Sequence, residues 1–154
     1  MTSITRTDSN NKEFQKLVGE LDLDLKTRDG EEHSFYAQFN KVDSIKYTVV
    51  AYEEDQPVGC GAIKEYSDKI MEIKRMYVRL DKRGKGIASM ILQELEKWSK
   101  ELGMEKCMLE TGKKQPEAIR LYEKNNYHII PNFGQYENVE NSVCFEKELK
   151  GFVP

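Results

Sequence analysis

Residues 69–102 constrain the fold more than any other stretch. "KIMEIKRMYVRL" (69–80) is strand-like, "RGKG" (83–86) interrupts it with two glycines, and Ile87, Ile91, Leu95, Trp98 and Leu102 then recur at steps of four and three. That recurrence is the apolar stripe of an amphipathic helix, which Gly103 ends. "KCMLETG" (106–112) follows, short, apolar and bounded by Gly112, as expected of a buried strand. A strand, a long helix and another strand in this order call for a crossover, and so for a parallel element in the sheet.

The rest of the chain fills out a mixed architecture. Ser3 to Thr7 reads as a first strand, and from Asn10 the residues Phe14, Leu17, Val18 and Leu21 mark a helix broken at Asp29-Gly30. A second helix is expected to carry Phe35, Tyr36 and Phe39 on one side. "IKYTVVAYEED" (45–55) and "PVGCGAIKEY" (57–66) predict an antiparallel hairpin turning at Gln56-Pro57. "QPEAIRLYEKNN" (115–126) predicts a helix with Pro116 early, where its missing N–H costs nothing. "YHII" (127–130) and "ENSVCFEKEL" (140–149) read as closing strands. The class is α/β (α+β), in one domain over residues 1–154, a length sufficient for a single core.

Composition narrows the function classes. A net charge of −3 argues against a general nucleic-acid binder, so any anion site must be local. No apolar run approaches the roughly 18 residues of a membrane span, and the polar Met1–Lys12 segment does not resemble a signal peptide. Cys60, Cys107 and Cys144 are scattered, with neither a disulfide framework nor a zinc spacing; a reduced cytoplasmic protein is expected, with no metal and no membrane or nucleic-acid partner.

The glycine loop is where an anion would bind. A helix start offers backbone N–H groups without intrahelical partners, glycines admit a ligand close to them, and Arg83, Lys85 and Lys82 add charge. An ordinary basic turn would also read this way. Gly84-Lys85-Gly86-Ile87 fails the P-loop spacing, and "GKGIAS" (84–89) has serine where a dinucleotide fingerprint needs its third glycine.

A third pattern fits. "RGKGIA" (83–88) resembles the Q/R-x-x-G-x-G/A segment that opens the acetyl-CoA helix of the GNAT superfamily of N-acetyltransferases. "MEIKRMYV" (71–78) is similar to that family's fourth strand, and "AIRLYEKNNY" (118–127) to its A-x-x-L-Y-x-x-x-G-[FY] segment; the likeness covers roughly residues 3 to 149 in the family's element order. The resemblance implies a mixed, mostly antiparallel sheet of six to seven strands flanked by about four helices.

It also implies acetyl-CoA as co-substrate. The backbone of Arg83, Gly84, Lys85, Gly86, Ile87, Ala88 and Ser89 would hold the pyrophosphate, and that of Met76, Tyr77 and Val78 would pair with the pantetheine arm where the sheet splays. Gln115 stands where the family often has an asparagine touching that arm, and Asn126 replaces the glycine before the final aromatic. Tyr122 matches the family's general-acid tyrosine and Glu72 the strand position of a catalytic glutamate, with Glu110 as the competing carboxylate. Acidic residues of the first helices (Asp22, Asp24 or Glu32) would favour a cationic acceptor. His33 and His128 have no triad or metal spacing, and the three cysteines read as small hydrophobes in strands.

The expected activity is direct acetyl transfer from acetyl-CoA to an amine, in the first place a small-molecule primary amine, by a monomer or homodimer. A protein lysine or N-terminus is the alternative acceptor. A catalytically silent CoA-binding module is the alternative of a different class.

Overall fold

The computed structural model describes residues 1–29 and 44–149. Seven strands form one sheet, in the spatial order β1-β2-β3-β4-β5-β7-β6. In chain order the elements are β1 (Thr2–Thr7), α1 (Lys12–Asp29), β2 (Tyr47–Glu53), β3 (Gln56–Ser67) and β4 (Ile70–Val78). They continue with α2 (Ile87–Glu101), β5 (Lys106–Gly112), α3 (Pro116–Lys124), β6 (His128–Ile130) and β7 (Ser142–Glu148). All neighbouring strands run antiparallel except β4 and β5, the pair that α2 connects. The mixed, mostly antiparallel sheet is the expected one. Three α-helices flank it among the described residues; the expected helix carrying Phe35, Tyr36 and Phe39 lies outside them, as do Glu32 and His33.

Two apolar layers sandwich the sheet. Phe14, Leu17 and Val18 of α1 pack with Val50, Cys60 and Ala62 on one face. Ile87, Ile91, Leu92 and Leu95 of α2 pack with Val49, Ile63, Ile73 and Leu109 on the other. Each of these α2 side chains is at most 2% exposed and contributes about 1.5–3 kcal/mol of burial. Trp98 sits at the rim of that layer, edge-on to Tyr47 at 5.2 Å and beneath the Arg6 guanidinium at 4.7 Å.

One turn differs from its expectation. The β2–β3 hairpin turns at Glu54-Asp55, whose φ values of 50° and 66° are both positive, and Gln56 and Pro57 already belong to β3, opposite Glu53 and Tyr52. A two-residue hairpin loop of this kind needs left-handed backbone at both positions, and proline is locked near φ −65°. Pro57 could not have supplied the turn. At the other end of the chain, Asn126 takes φ 72° just past α3, the left-handed role glycine plays in the resembling pattern.

β3 carries two glycines for a steric reason. A Cβ on Gly61 would lie 2.8 Å from both the Met76 sulfur and Ile91, and one on Gly59 would lie 2.9 Å from the Tyr77 carbonyl. Their absence of side chains lets α2 close on the sheet while Met76 keeps its place.

Candidate active site

The sheet opens between its two central strands. The parallel ladder runs only from Ile70↔Lys106 to Glu72↔Met108. β3 stays paired with β4 as far as Val78, and β7 with β5 as far as Gly112. Beyond Glu72 the strands therefore diverge, and the edge of β4 that faces β5 carries no further ladder. A bulge marks the divergence: Ala62 pairs with Lys74 and Cys60 with Tyr77, so Arg75 and Met76 together oppose Gly61. Arg75 takes φ 61° there. The extra residue keeps Ile73, Met76 and Val78 all on the α2 side despite their uneven spacing.

A cavity of 520 Å³ occupies this opening. Met76, Tyr77 and Val78 form its β4 wall; Arg83, Gly84, Gly86, Ile87, Ala88 and Ser89 form the loop and first turn of α2; Gln115 and Tyr122 face them from α3. All of the residues expected at a coenzyme site thus line one space except Lys85. That side chain is half-exposed and turns toward Glu53 at 3.6 Å. Gly84 and Gly86 have φ of 82° and 83°, with nothing within 4 Å of where a Cβ would stand. Gly86 caps α2 without a side-chain hydrogen bond, so the first N–H groups of the helix remain open to the cavity. The left-handed backbone favours glycine at both positions, and the space beside them is open.

The loop's cations are held in place by named partners. Arg83 donates from Nε to the Val78 carbonyl at 2.8 Å and lies 3.5 Å from Asp24 of α1. Lys82 pairs with Glu53 at 2.8 Å, a contact that holds the Glu53 carboxyl below its usual range and raises the Lys82 ammonium. Arg120 and Lys124 of α3 also border the cavity. Neither was expected there, although their four-residue spacing puts them side by side on the helix. Asp24, one of the acidic residues expected to favour a cationic acceptor, meets Arg83 beside the larger cavity.

A smaller cavity of 100 Å³ adjoins the first, between α1 and the ends of β4 and β5. Leu25, Lys74, Arg75, Glu110 and Thr111 line it, and Leu21, Met76, Gln115, Ala118 and Tyr122 border both spaces. Tyr122 is 5% exposed, its ring set edge-on to Tyr127 at 5.8 Å and tilted against Phe145 at 5.9 Å. Burial, and then the nearby Glu110 charge, push its phenol well above the ordinary value. The hydroxyl therefore keeps its proton across the working pH range and is available as a donor.

The two candidate carboxylates occupy different settings. Glu110 lines the smaller cavity and accepts a 2.7 Å hydrogen bond from the Ser142 hydroxyl. Glu72 lines neither cavity. It is 7% exposed, lies 3.5 Å from the Lys74 ammonium and accepts a long 3.4 Å contact from Tyr136. Tyr136 senses both: burial first, then Glu72 and Glu110, raise its phenol. Tyr136 and Ser142 were not expected at the site, since nothing in their local sequence distinguishes them from loop and strand-end residues.

The remaining candidates sit apart. No cysteine lines either cavity, and burial pushes the Cys107 thiol up to about 12 and the Cys144 thiol up to about 11, so neither is a thiolate near neutrality. His128 lies on the edge strand β6, 3.4 Å from Glu146. Among the described residues no group of three His, Cys, Asp or Glu is placed to hold a metal, and no helix is long and apolar enough to cross a membrane.

An open strand edge beside a glycine-opened helix start defines the acyl-CoA transferase class to which the comparisons point. Residues 11–127 match the Acetyltransferase (GNAT) family, and the chain belongs to it. It is 35% identical over 102 residues to the uncharacterized N-acetyltransferase YsnE of Bacillus subtilis, spanning 64% of this chain and 67% of that one. It is 34% identical to an IAA acetyltransferase of Azospirillum brasilense, over 66% of this chain and 67% of that one. A solved Klebsiella pneumoniae protein described as an acyl-CoA N-acyltransferase superposes with a TM-score of 0.81 at 27% identity, covering 97% of this chain and 98% of that one. The chain is an acetyl-CoA-dependent N-acetyltransferase of the GNAT family.

Proposed function

We propose that the acceptor is a small-molecule primary amine, which enters the smaller cavity and attacks the acetyl group directly. The observation that carries this reading is Tyr122, which borders both cavities and so stands where donor and acceptor meet. The 100 Å³ of the acceptor side suits a compact amine-bearing group. Acetyl-CoA supplies a thioester; the amine nitrogen bonds to its carbonyl carbon, the carbon–sulfur bond breaks, and coenzyme A leaves as the thiol.

The residues of the chain answer each demand of that exchange. The loop from Arg83 to Ser89 binds the pyrophosphate through backbone N–H groups, and the open edge of Met76 to Val78 pairs with the pantetheine arm. Gln115, at the start of α3, reaches the same arm. A free amine with pKa near 10.4 is neutral in only about one molecule in a few thousand at pH 7, so a base multiplies the reactive fraction. Glu110 is the base in this reading, because it lines the acceptor cavity and Ser142 fixes one of its oxygens. Glu72 is the second candidate, supported by its burial beside Lys74 and Tyr136 on the adjoining strand.

Tyr122 donates its O–H to the sulfur as negative charge develops there. A phenol raised above about 10 loses its proton to a thiolate of reference pKa near 8.5 only uphill, so its contribution is a hydrogen bond at the moment of bond breaking more than a completed transfer.

Thiol release from acetyl-CoA, measured with a panel of small amines, amino acids, lysine peptides and IAA, tests the acceptor assignment. Small primary amines should turn over fastest; activity confined to peptides or to IAA, or no release at all, would sink it. With the best amine, Glu110→Gln should flatten or displace the rising limb of the pH–rate profile while Glu72→Gln leaves its position unchanged. The reverse result moves the base to Glu72.

A further inference from the structure

Asn125 ends α3 and is 9% exposed, with its side chain directed across to the opening turn of α2. Its Nδ2 donates to the Leu121 carbonyl at 2.9 Å and to the Ser89 hydroxyl at 3.1 Å. A carbonyl oxygen only accepts, so the amide nitrogen must be the atom on that side, and its two hydrogens satisfy one partner each. The Ser89 oxygen is thereby an acceptor toward Asn125, and its own proton has to point elsewhere. Ser89 is the third residue of α2 and borders the large cavity. Ser99, deeper in the same helix, gives its proton to the Leu95 carbonyl four residues back at 2.8 Å. For Ser89 the residue four back is Lys85, which precedes the helix.

We infer that Asn125 is a positioning residue for coenzyme binding: it fixes the Ser89 hydroxyl as a donor aimed at the ligand's diphosphate. This rests on the reading that the diphosphate lies at the start of α2. A side-chain donor there supplements the backbone N–H groups, and a hydrogen bond to a charged oxygen is stronger than one between neutral groups. Asn125 reaches no ligand itself. It decides which way one hydroxyl proton faces, and it ties that choice to the end of the helix that carries Tyr122.

The test measures binding of CoA, of dephospho-CoA (which keeps the diphosphate) and of pantetheine (which lacks it) to the full chain, the last by displacement of CoA. Asn125→Leu should weaken CoA and dephospho-CoA by a similar factor, about three- to tenfold, and leave pantetheine unchanged. Ser89→Ala should reproduce that pattern, and Asn125→Leu in the Ser89→Ala background should add nothing. Asn125→Asp, which keeps the shape and would accept the Ser89 proton, should weaken CoA at least as much as the leucine variant; it provides the same reading should Asn125→Leu fail to fold. Equal losses for CoA and pantetheine, or a loss that persists without the Ser89 hydroxyl, would make Asn125 a packing residue and overturn the inference. If Ser89→Ala weakens CoA and neither Asn125 variant does, the diphosphate placement stands and the role of Asn125 falls. If Ser89→Ala leaves CoA affinity at the wild-type value, the diphosphate placement fails at Ser89, and the inference with it.

Discussion

On the α2 side of Tyr122 the cleft offers main-chain features: the open edge of β4, two left-handed glycines and the first turn of a helix. On the α1 side the charged residues Lys74, Arg75 and Glu110 line a space one-fifth as large. The two sides carry different information. A backbone wall presents the same N–H and C=O groups whatever the flanking residues are, so it suits a ligand that never changes. A side-chain wall is redefined by each substitution, which suits the proposed acceptor side.

Breaking the backbone side should give the largest effect. Gly86→Glu meets three obstacles at once: φ 83° is a conformation that side chains rarely adopt, the new group enters the ligand's space, and its charge repels phosphate. CoA affinity should fall more than about a hundredfold by calorimetry, while far-UV circular dichroism stays near that of the wild type because no packed atom lies within 4 Å of the new Cβ. Unchanged affinity would remove the loop from the coenzyme site.

That same division decides what was legible from sequence. The glycine pair, the stripe of α2 and the strand before it are local patterns, and a backbone wall is made of local patterns. Tyr122 and Gln115 could be placed because each stands at a fixed distance from a recognisable helix start. The sequence puts Glu72 ahead of Glu110, but which of them meets a cavity depends on where β4 leaves β5, and no local pattern marks that point. Tyr136 and Ser142 reach the two carboxylates from the far end of the chain; only the pairing of β7 with β5 brings Ser142 there. The Glu54-Asp55 turn was hidden by a neighbouring proline whose usual meaning is a turn.

The boundary between the halves is the next place to test. Tyr122→Phe deletes one hydroxyl and keeps the ring that packs on Tyr127 and Phe145. Turnover should fall at least about tenfold, a floor set below the roughly 10²–10⁴-fold usual for general acid catalysis, with CoA affinity nearly unchanged. A loss restricted to turnover marks an interaction made in the transition state. Full turnover with a good amine would reduce Tyr122 to a packing residue between the two cavities.

The smallest expected effect asks how much side-chain charge matters on the backbone side. Glu53 holds Lys82 at 2.8 Å and Lys85 at 3.6 Å, so a phosphate approaching the loop must share both ammonium groups with a carboxylate already there. Glu53→Gln removes that competitor without adding bulk. Solvent-screened pairs of this kind contribute little, so CoA should bind only about two- to fivefold more tightly at low ionic strength. In about 1 M salt, where the screening length shrinks to roughly 3 Å, the two proteins should converge. Weaker binding by Glu53→Gln would carry the opposite message: the carboxylate would then be a scaffold that aims the lysines, and the α2 side would depend on particular side chains as the α1 side does. An unchanged affinity at every salt concentration would mean that neither lysine touches the ligand.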